Sequence, residues 1–435
     1  MRHPARLQAA IDLLEEVEAS LASDGPAADM IVKTYFRTRR YAGSKDRAAV
    51  GSLVFGPLRR RAEILWWAGD DADARTRMIT YLALSGAAIE DEFDGSPHAP
   101  APLSEAEQAL VQKVRSARQQ EMPDWVAAEC PAWLMENFKA RFGADFEKEM
   151  AALNERAPLD LRVNTLKATV AEVGAQLTRR NIAYEPCAFA PAGFRLAKNT
   201  DLTQDPLYID GQLEIQDEGA QVATVLANAQ SGETVVDLCA GAGGKALGLA
   251  ADMDNNGAIF AFDTVAKRLD EAKRRLVRAG VWIIKPERLA QEGAGRMAAL
   301  DPVRGHADLV VLDVPCSGTG TWRRNPEARW RLTPEHLARY VAAQRALLDE
   351  GAELVKPGGR LLYITCSLLS AEDEDQITAF LAANPDFRLV PYGDIWRQKL
   401  RSAQPETRSS LEGALCLTPA SHGTDGFFVA CLQKI

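Results

Sequence analysis

The chain reads as an α/β protein: a doubly wound, mostly parallel sheet, preceded by an all-helical region and a small mixed α+β segment. Three observations carry that expectation. From about residue 232, short apolar segments alternate with amphipathic helical ones, the pattern of strands buried on both faces between covering helices. Before about residue 125, apolar residues recur at helical spacing. The 435 residues, 47% hydrophobic and 26% charged, have the make-up of a globular chain, and at roughly 150 residues per domain they suggest about three domains. The expected division is 1–125, 126–220 and 221–435.

The elements follow in order. LQAAIDLLEEVEASL near the N-terminus carries a helical apolar stripe, and Asp46 is expected to cap a helix running through Val54 and Phe55. The acidic, Pro- and Gly-rich segment 91–105 reads as a loop. LDLRVNTLKA reads as a strand followed by a helix start, and Pro186 to Asp210 as short strands and turns. Then come the strand ETVVDLC, a glycine loop, the helix LGLAADM, the strand GAIFAFD and the helix TVAKRLDEAKRRLVRAG, which ends at Gly280 as a C-cap. ADLVVLDVP is another strand. Thr333 and Pro334 supply an N-cap and an N1 proline for a helix through Leu354. KPGG reads as a turn into the strand RLLYITCS, and Ser370 with Asp373 as a capping box for the following helix.

Several function classes fall away. No run approaches the roughly 18 apolar residues of a membrane span. The N-terminal twenty residues place acids where an export signal needs an apolar stretch, so a cytoplasmic protein with no membrane partner is expected. Seven cysteines form no CxxC pair and five histidines are scattered, so no metal site and no disulfide framework are expected.

Charge is uneven. The net charge is −9, yet Lys33, Arg37, Arg39, Arg40, Lys45, Arg47, Arg59, Arg60 and Arg61 fall between residues 31 and 61 with Asp46 as their one acid. Phosphates respond to such a local cluster, because salt screens charges beyond about 10 Å. A second basic stretch, TWRRNPEARWR, interleaves Trp322 and Trp330 with four arginines. Unstacked bases lie against such planes, so it is expected to contact a nucleic acid.

Ligands in a doubly wound sheet bind at the C-terminal strand ends. One such end carries Asp237-Leu-Cys239-Ala240-Gly241-Ala242-Gly243-Gly244-Lys245, whose glycines admit a ligand close to the backbone. Cys239 stands where a Walker A loop needs glycine, which disfavours a nucleoside triphosphate. Gly241-x-Gly243-x-x-Ala246 matches a dinucleotide fingerprint, with Asp263 placed for ribose hydroxyls. Two further strand ends carry Asp313-Val-Pro-Cys316 and Thr365-Cys366-Ser. An NAD-dependent oxidoreductase would use the glycine loop and leave both thiols unexplained.

DLCAGAGGK, DVPCSGTG, RRNPEARW, YITCSL and the closing DGFFVACL resemble the Nol–Nop–Sun family of RNA cytosine-C5 methyltransferases. LRVNTLK and IQDEGAQVA resemble the segments that precede its catalytic domain, and the likeness runs from about residue 158 to the C-terminus. Separately, RRYAGSKDRAAVGSLVFGPLRR is similar to the all-helical, RNA-binding NusB-like domain at the N-terminus of the Sun branch. The resemblance implies a Rossmann-like methyltransferase fold and S-adenosylmethionine as cofactor. It implies Cys366 as the nucleophile on cytosine C6, Asp313 as the contact to the base, Cys316 as the residue of product release, and Lys245 beside base or cofactor. It implies cofactor binding by Cys239, Ala240, Gly241, Ala242, Gly243, Gly244, Lys245, Asp263 and Asp313.

Two departures stand out. The family loop CAAPGGKT is CAGAGGKA here, without the proline and the threonine. The column where many relatives carry an acid for adenine falls on Leu289, so adenine is expected to be held by backbone and apolar groups unless Glu287 reaches it. The expected substrate is RNA, small-subunit rRNA first and tRNA second. The rival reading is a non-catalytic RNA-binding protein on the same scaffold. A monomer is the default.

Overall fold

The computed structural model describes residues 1–435 apart from 24, 90, 117–121, 199 and 401. The chain forms two compact units. One comprises Met1–Arg156 with Trp322–Leu332, the other Ala157–Thr321 with Thr333–Ile435. The segment expected at 126–220 is thus divided, 126–156 in the first unit and 157–220 in the second.

The first unit is helical among its described residues. Helices His3–Ala22, Ala28–Thr38, Ser44–Arg59, Arg61–Ala68, Ala74–Leu84 and Glu105–Ser116 enclose a core that includes Leu13, Val50, Val54, Met78 and Ile79. Asp46 is not the cap of its helix. Gly43 holds that place, and Asp46 reaches back from the third helical position to accept the Gly43 N–H at 3.2 Å. The same carboxylate binds the N-terminal amine at 3.0 Å and Arg6 at 2.8 Å. It ties two helices together where the sequence suggested a local cap.

The second unit holds two sheets. The smaller consists of β1 (Leu159–Val163), β2 (Tyr184–Pro186), β3 (Gly193–Leu196) and β4 (Leu213–Ile215), in the order β2-β3-β1-β4 and antiparallel throughout. The larger contains β5 (Thr234–Asp237), β6 (Ala258–Asp263), β7 (Ile284–Arg288), β8 (Ala307–Asp313), β9 (Val355–Thr365), β10 (Phe387–Val390), β11 (Leu415–Leu417) and β12 (Phe427–Lys434). Its order is β10-β12-β9-β8-β5-β6-β7, with β11 paired to β12. Strands β5 to β9 run parallel; β12 returns antiparallel beside β9. This is the expected Rossmann-like, mostly parallel sheet. The direction of strand addition reverses between β5 and β8, and a crevice opens at such a point.

Local chemistry accounts for most boundaries. Helix Ala266–Ala279 ends at Gly280 with φ +71°, and Thr333 accepts the His336 N–H at 3.2 Å to start helix Pro334–Leu354. Pro286 is tolerated in β7 because that strand is the sheet edge. Two expectations differ. KPGG lies inside β9 and not in a turn before it, with Gly358 at φ +76° absorbing the irregularity. Ser370 and Asp373 form no capping box: the helix begins at Glu374, and Asp373 turns inward to accept the Thr365 hydroxyl at 2.6 Å. Among the described residues no helix is long and apolar enough to cross a membrane.

Candidate active site

The glycine loop leaves β5 after Asp237 and enters helix Gly244–Asp252 through Gly243, whose φ of +79° excludes most side chains. Two arginines hold it from behind. Buried Arg162, from β1, donates to the Gly244 carbonyl at 2.9 Å and to Gln216 at 2.6 Å. Arg275 donates to the Ala242 carbonyl at 2.9 Å and pairs with Glu214. Sequence reasoning missed both. For Arg162 and its partner Gln216 the sequence signal was their place in LRVNTLK and IQDEGAQVA; nothing local marked Arg275 or Glu214.

At the end of β6, Asp263 is almost fully buried and accepts the Gly241 N–H at 3.0 Å and the Val265 N–H at 2.7 Å. The carboxylate is thereby fixed beside a cavity of about 650 Å³ that also touches Leu238, Cys239, Gly241 and Asp313. A pocket of that size suits a nucleoside-bearing ligand. Gly241 faces open space, so a ligand can approach its backbone. Cys239 lines the cavity as a neutral thiol, pushed far up by burial and then by the charge of Asp237. Asp237 itself is pushed up to about 7, chiefly by burial and then by Asp313.

Leu289 is buried and spends its N–H on the Asp263 carbonyl at 3.0 Å. Glu287 is exposed on β7 and does not line the cavity. That wall is instead formed by Gln291, Tyr340 and the paired Arg296 and Glu350, whose bidentate bridge includes a 2.6 Å bond. No sequence motif marked these four, because they come from separate segments and meet only in the fold.

The thiols converge. Cys316 lies three residues past Asp313 at the end of β8, and Cys366 directly follows β9. Their sulfur atoms are 3.3 Å apart. The bond to Cys366, then burial, hold the Cys316 thiol far above its ordinary range. Lys245 Nζ donates to Asp313 Oδ2 at 2.6 Å and lies 5.4 Å from the centre of the Phe427 ring. The Asp425-Gly426 turn packs against the loop that follows Cys316. The Gly426 N–H donates to the Gly320 carbonyl at 2.8 Å, an approach so close that a Cβ on Gly320 would lie 2.4 Å from Gly426 O.

The second basic stretch departs from expectation. Residues 322–332 pack inside the first unit, with Trp322 and Arg329 fully buried and Arg323 and Glu327 nearly so. Arg59 is turned inward too, donating to the carbonyls of Phe55 and Arg323 at 3.2 and 2.9 Å, while Arg60 pairs with Glu63 and Arg61 with Glu18. Lys33, Arg37, Arg40, Lys45 and Arg47 remain exposed.

Comparison with known proteins adds to this geometry. Residues 223–433 match the family model described as 16S rRNA methyltransferase RsmB/F, and residues 130–203 match the RsmF/B-like ferredoxin-like domain. A probable ribosomal RNA small subunit methyltransferase B of Synechocystis sp. is 39% identical over 306 residues, which cover 70% of this chain and 66% of that protein. The matched stretch therefore falls just short of two thirds of that relative's length. The ribosomal RNA small subunit methyltransferase B of Shewanella oneidensis is 29% identical over 91% of this chain and 92% of its own. The crystal structure of PH0851 superposes with a TM-score of 0.78 at 27% identity, covering 99% of both chains.

Proposed function

The chain belongs to the RsmB/F family of rRNA methyltransferases, and from that premise we propose that it methylates C5 of a cytosine in small-subunit rRNA. Residues 239–245 with Asp263 and Asp313 would hold S-adenosylmethionine, which would provide the electrophilic methyl group. The observation that carries this reading is the pair of sulfurs 3.3 Å apart at the ends of β8 and β9, beside a cavity of about 650 Å³.

Cytosine C5 is a weak nucleophile. Addition of the Cys366 thiolate to C6 moves the C5–C6 electron pair into an enamine-like system, so that C5 can take the methyl group. Asp313 contacts the base edge with Lys245 bound to its other side. The C5 proton then leaves, the pair it releases re-forms the C5–C6 double bond, and the Cys366–C6 bond breaks with its electrons returning to sulfur.

The pair geometry supports this order of events. The first cause of the Cys316 elevation is its bond to Cys366. Before attack Cys316 stays protonated and can donate its S–H to the Cys366 thiolate, the more so because two adjacent thiols resist joint ionisation. Once Cys366 is a neutral thioether that first cause is gone while burial remains, and Cys316 can pass its proton to solvent water and, as thiolate, take the one from C5.

The test is a map of 5-methylcytosine in rRNA from cells with and without the gene, with methyl transfer by purified protein to small-subunit RNA. One cytosine should lose its mark and regain it in vitro. Incorporation into no RNA would overturn the proposal.

A further inference from the structure

One buried carboxylate is bonded to both cysteine loops. Glu372 is fully buried, just ahead of helix Glu374–Ala383. It accepts the Ser317 backbone N–H at 2.8 Å and the Ser317 hydroxyl, from the residue after Cys316. It accepts the Ser367 hydroxyl at 2.5 Å, from the residue after Cys366. It also accepts the Gln344 amide at 3.0 Å, and that amide donates to the Pro315 carbonyl, on the residue before Cys316, at 3.0 Å.

An ionised carboxylate offers about four acceptor sites and no donor, and four donors meet it here. Burying the charge is costly unless such a complement is complete. The two loops also touch directly, through Thr319 and Ser367 hydroxyls at 3.2 Å and the Gly320 N–H on the Cys366 carbonyl at 2.9 Å. Glu372, however, is the group that takes bonds from the residues following both thiols.

We infer that Glu372 is the positioning residue that sets the separation of the Cys316 and Cys366 thiols, an inference that rests on reading that pair as release residue and nucleophile. Glu372 touches no substrate. It acts through Ser317 and Ser367. An amide in its place can still accept the Ser317 N–H and the Gln344 amide on its oxygen, but the two hydroxyls must turn from donors to a carboxylate into acceptors from a neutral NH2, so charge-assisted bonds are replaced by weaker ones and the loops are held less tightly.

The experiment uses the full-length protein and Glu372→Gln, with Glu372→Asp and Ser367→Ala beside it. Diamide oxidises two thiols to a disulfide as it is reduced to its hydrazine, so the rate of Cys316–Cys366 cross-linking, read by peptide mapping, reports their separation without RNA or cofactor. Glu372→Gln should slow cross-linking and kcat each by about tenfold or more while leaving KM for both substrates within about twofold, as expected when reacting groups are misplaced and binding is intact. Glu372→Asp should recover part of both rates. Should Glu372→Gln fail to fold, Ser367→Ala, which removes the donor to Glu372 together with that hydroxyl's contacts to Ser317, Thr319 and the Leu369 N–H, should still slow cross-linking by about threefold. Cross-linking at the wild-type rate in the folded fraction of these variants, with kcat falling only as the folded fraction falls, would overturn the inference and leave Glu372 a fold-stabilising acid. A wild-type pair that diamide does not join would overturn it as well. If wild-type protein transfers no methyl group, the proposed activity fails, and the cross-linking rates still decide the role of Glu372.

Discussion

Two consecutive stretches of chain, 313–321 and 322–332, are both expected from the sequence to face the substrate, and they meet opposite fates. The first lines the cavity with Asp313 and Cys316 and keeps a thiol within 3.3 Å of Cys366. In the second, the Arg329 guanidinium stacks on the Trp322 ring at 4.8 Å and donates to the carbonyls of Glu129 and Leu153 at 2.7 and 3.2 Å and to Asn154. Arg331 donates to the carbonyls of Gly25 and Pro26, each at 2.8 Å. The donors and planes that could hold a base are taken by the protein's own backbone. Nearness to a reactive loop does not by itself place a basic, aromatic stretch at the substrate; what decides is whether carbonyls of the same fold already occupy the donors.

The sharpest separation is kinetic. Cys366→Ala should abolish methyl transfer, and Cys316→Ala should trap a protein–RNA adduct that survives denaturing gels, because addition proceeds and release stops. An adduct formed by Cys366→Ala in place of Cys316→Ala would exchange the two roles.

In the second stretch the expected loss is of stability. Arg329→Met strands two buried carbonyls and the Asn154 side chain, each costing about 1–3 kcal/mol, so the first unit should lose roughly 3 kcal/mol or more. Calorimetry checks this. A variant with an unchanged melting profile and weakened RNA binding would restore Arg329 to the substrate interface.

Legibility in the sequence divides along the same line. The order of strands and helices after residue 232, and the positions of Gly280 and Thr333, follow from local rules of period and capping, and the structure agrees with them. The segments with Cys316 and Cys366 stood out because strand ends converge on one rim whatever the intervening chain does. The braces Arg162 and Arg275, the wall residues Arg296 and Glu350, and the inward turns of Asp46 and Asp373 were not legible. Each depends on a partner that no local pattern names.

A smaller effect is set by pH. Glu129 caps helix Arg61–Ala68 by accepting the N–H groups of Ala62 and Glu63 at 2.8 and 2.9 Å, and burial pushes its carboxyl up to about 7. Its folded value exceeds the unfolded one near 4.5, so the fold prefers the protonated acid. Its contribution is full below about pH 4.5 and is lost as pH rises toward 7. Glu129→Gln cannot ionise, so the variant should gain on wild type in melting temperature between pH 5 and 8. Parallel curves for the two proteins would show that Glu129 does not titrate in that window.

The smallest effect tests what remains of the basic cluster. Lys33, Arg37, Arg40 and Lys45 are exposed, whereas Arg47, Arg59, Arg60 and Arg61 are engaged with carbonyls or carboxylates. Only the first group has charge to offer phosphates, if the first unit binds RNA as a NusB-like module would. Each phosphate deprived of its cation should lower the slope of log K against log salt by about 0.7 to 0.9. Replacing Lys33, Arg37 and Lys45 by glutamine should therefore flatten the RNA-binding slope by up to about 2 to 3. Arg60→Gln, by contrast, should leave the slope unchanged, since its side chain already pairs with Glu63 at 2.7 Å. A slope that follows Arg60 and ignores the exposed three would mean that RNA displaces the internal pair, and the engaged arginines would then belong with the open loop of 313–321 rather than with the closed one that follows it.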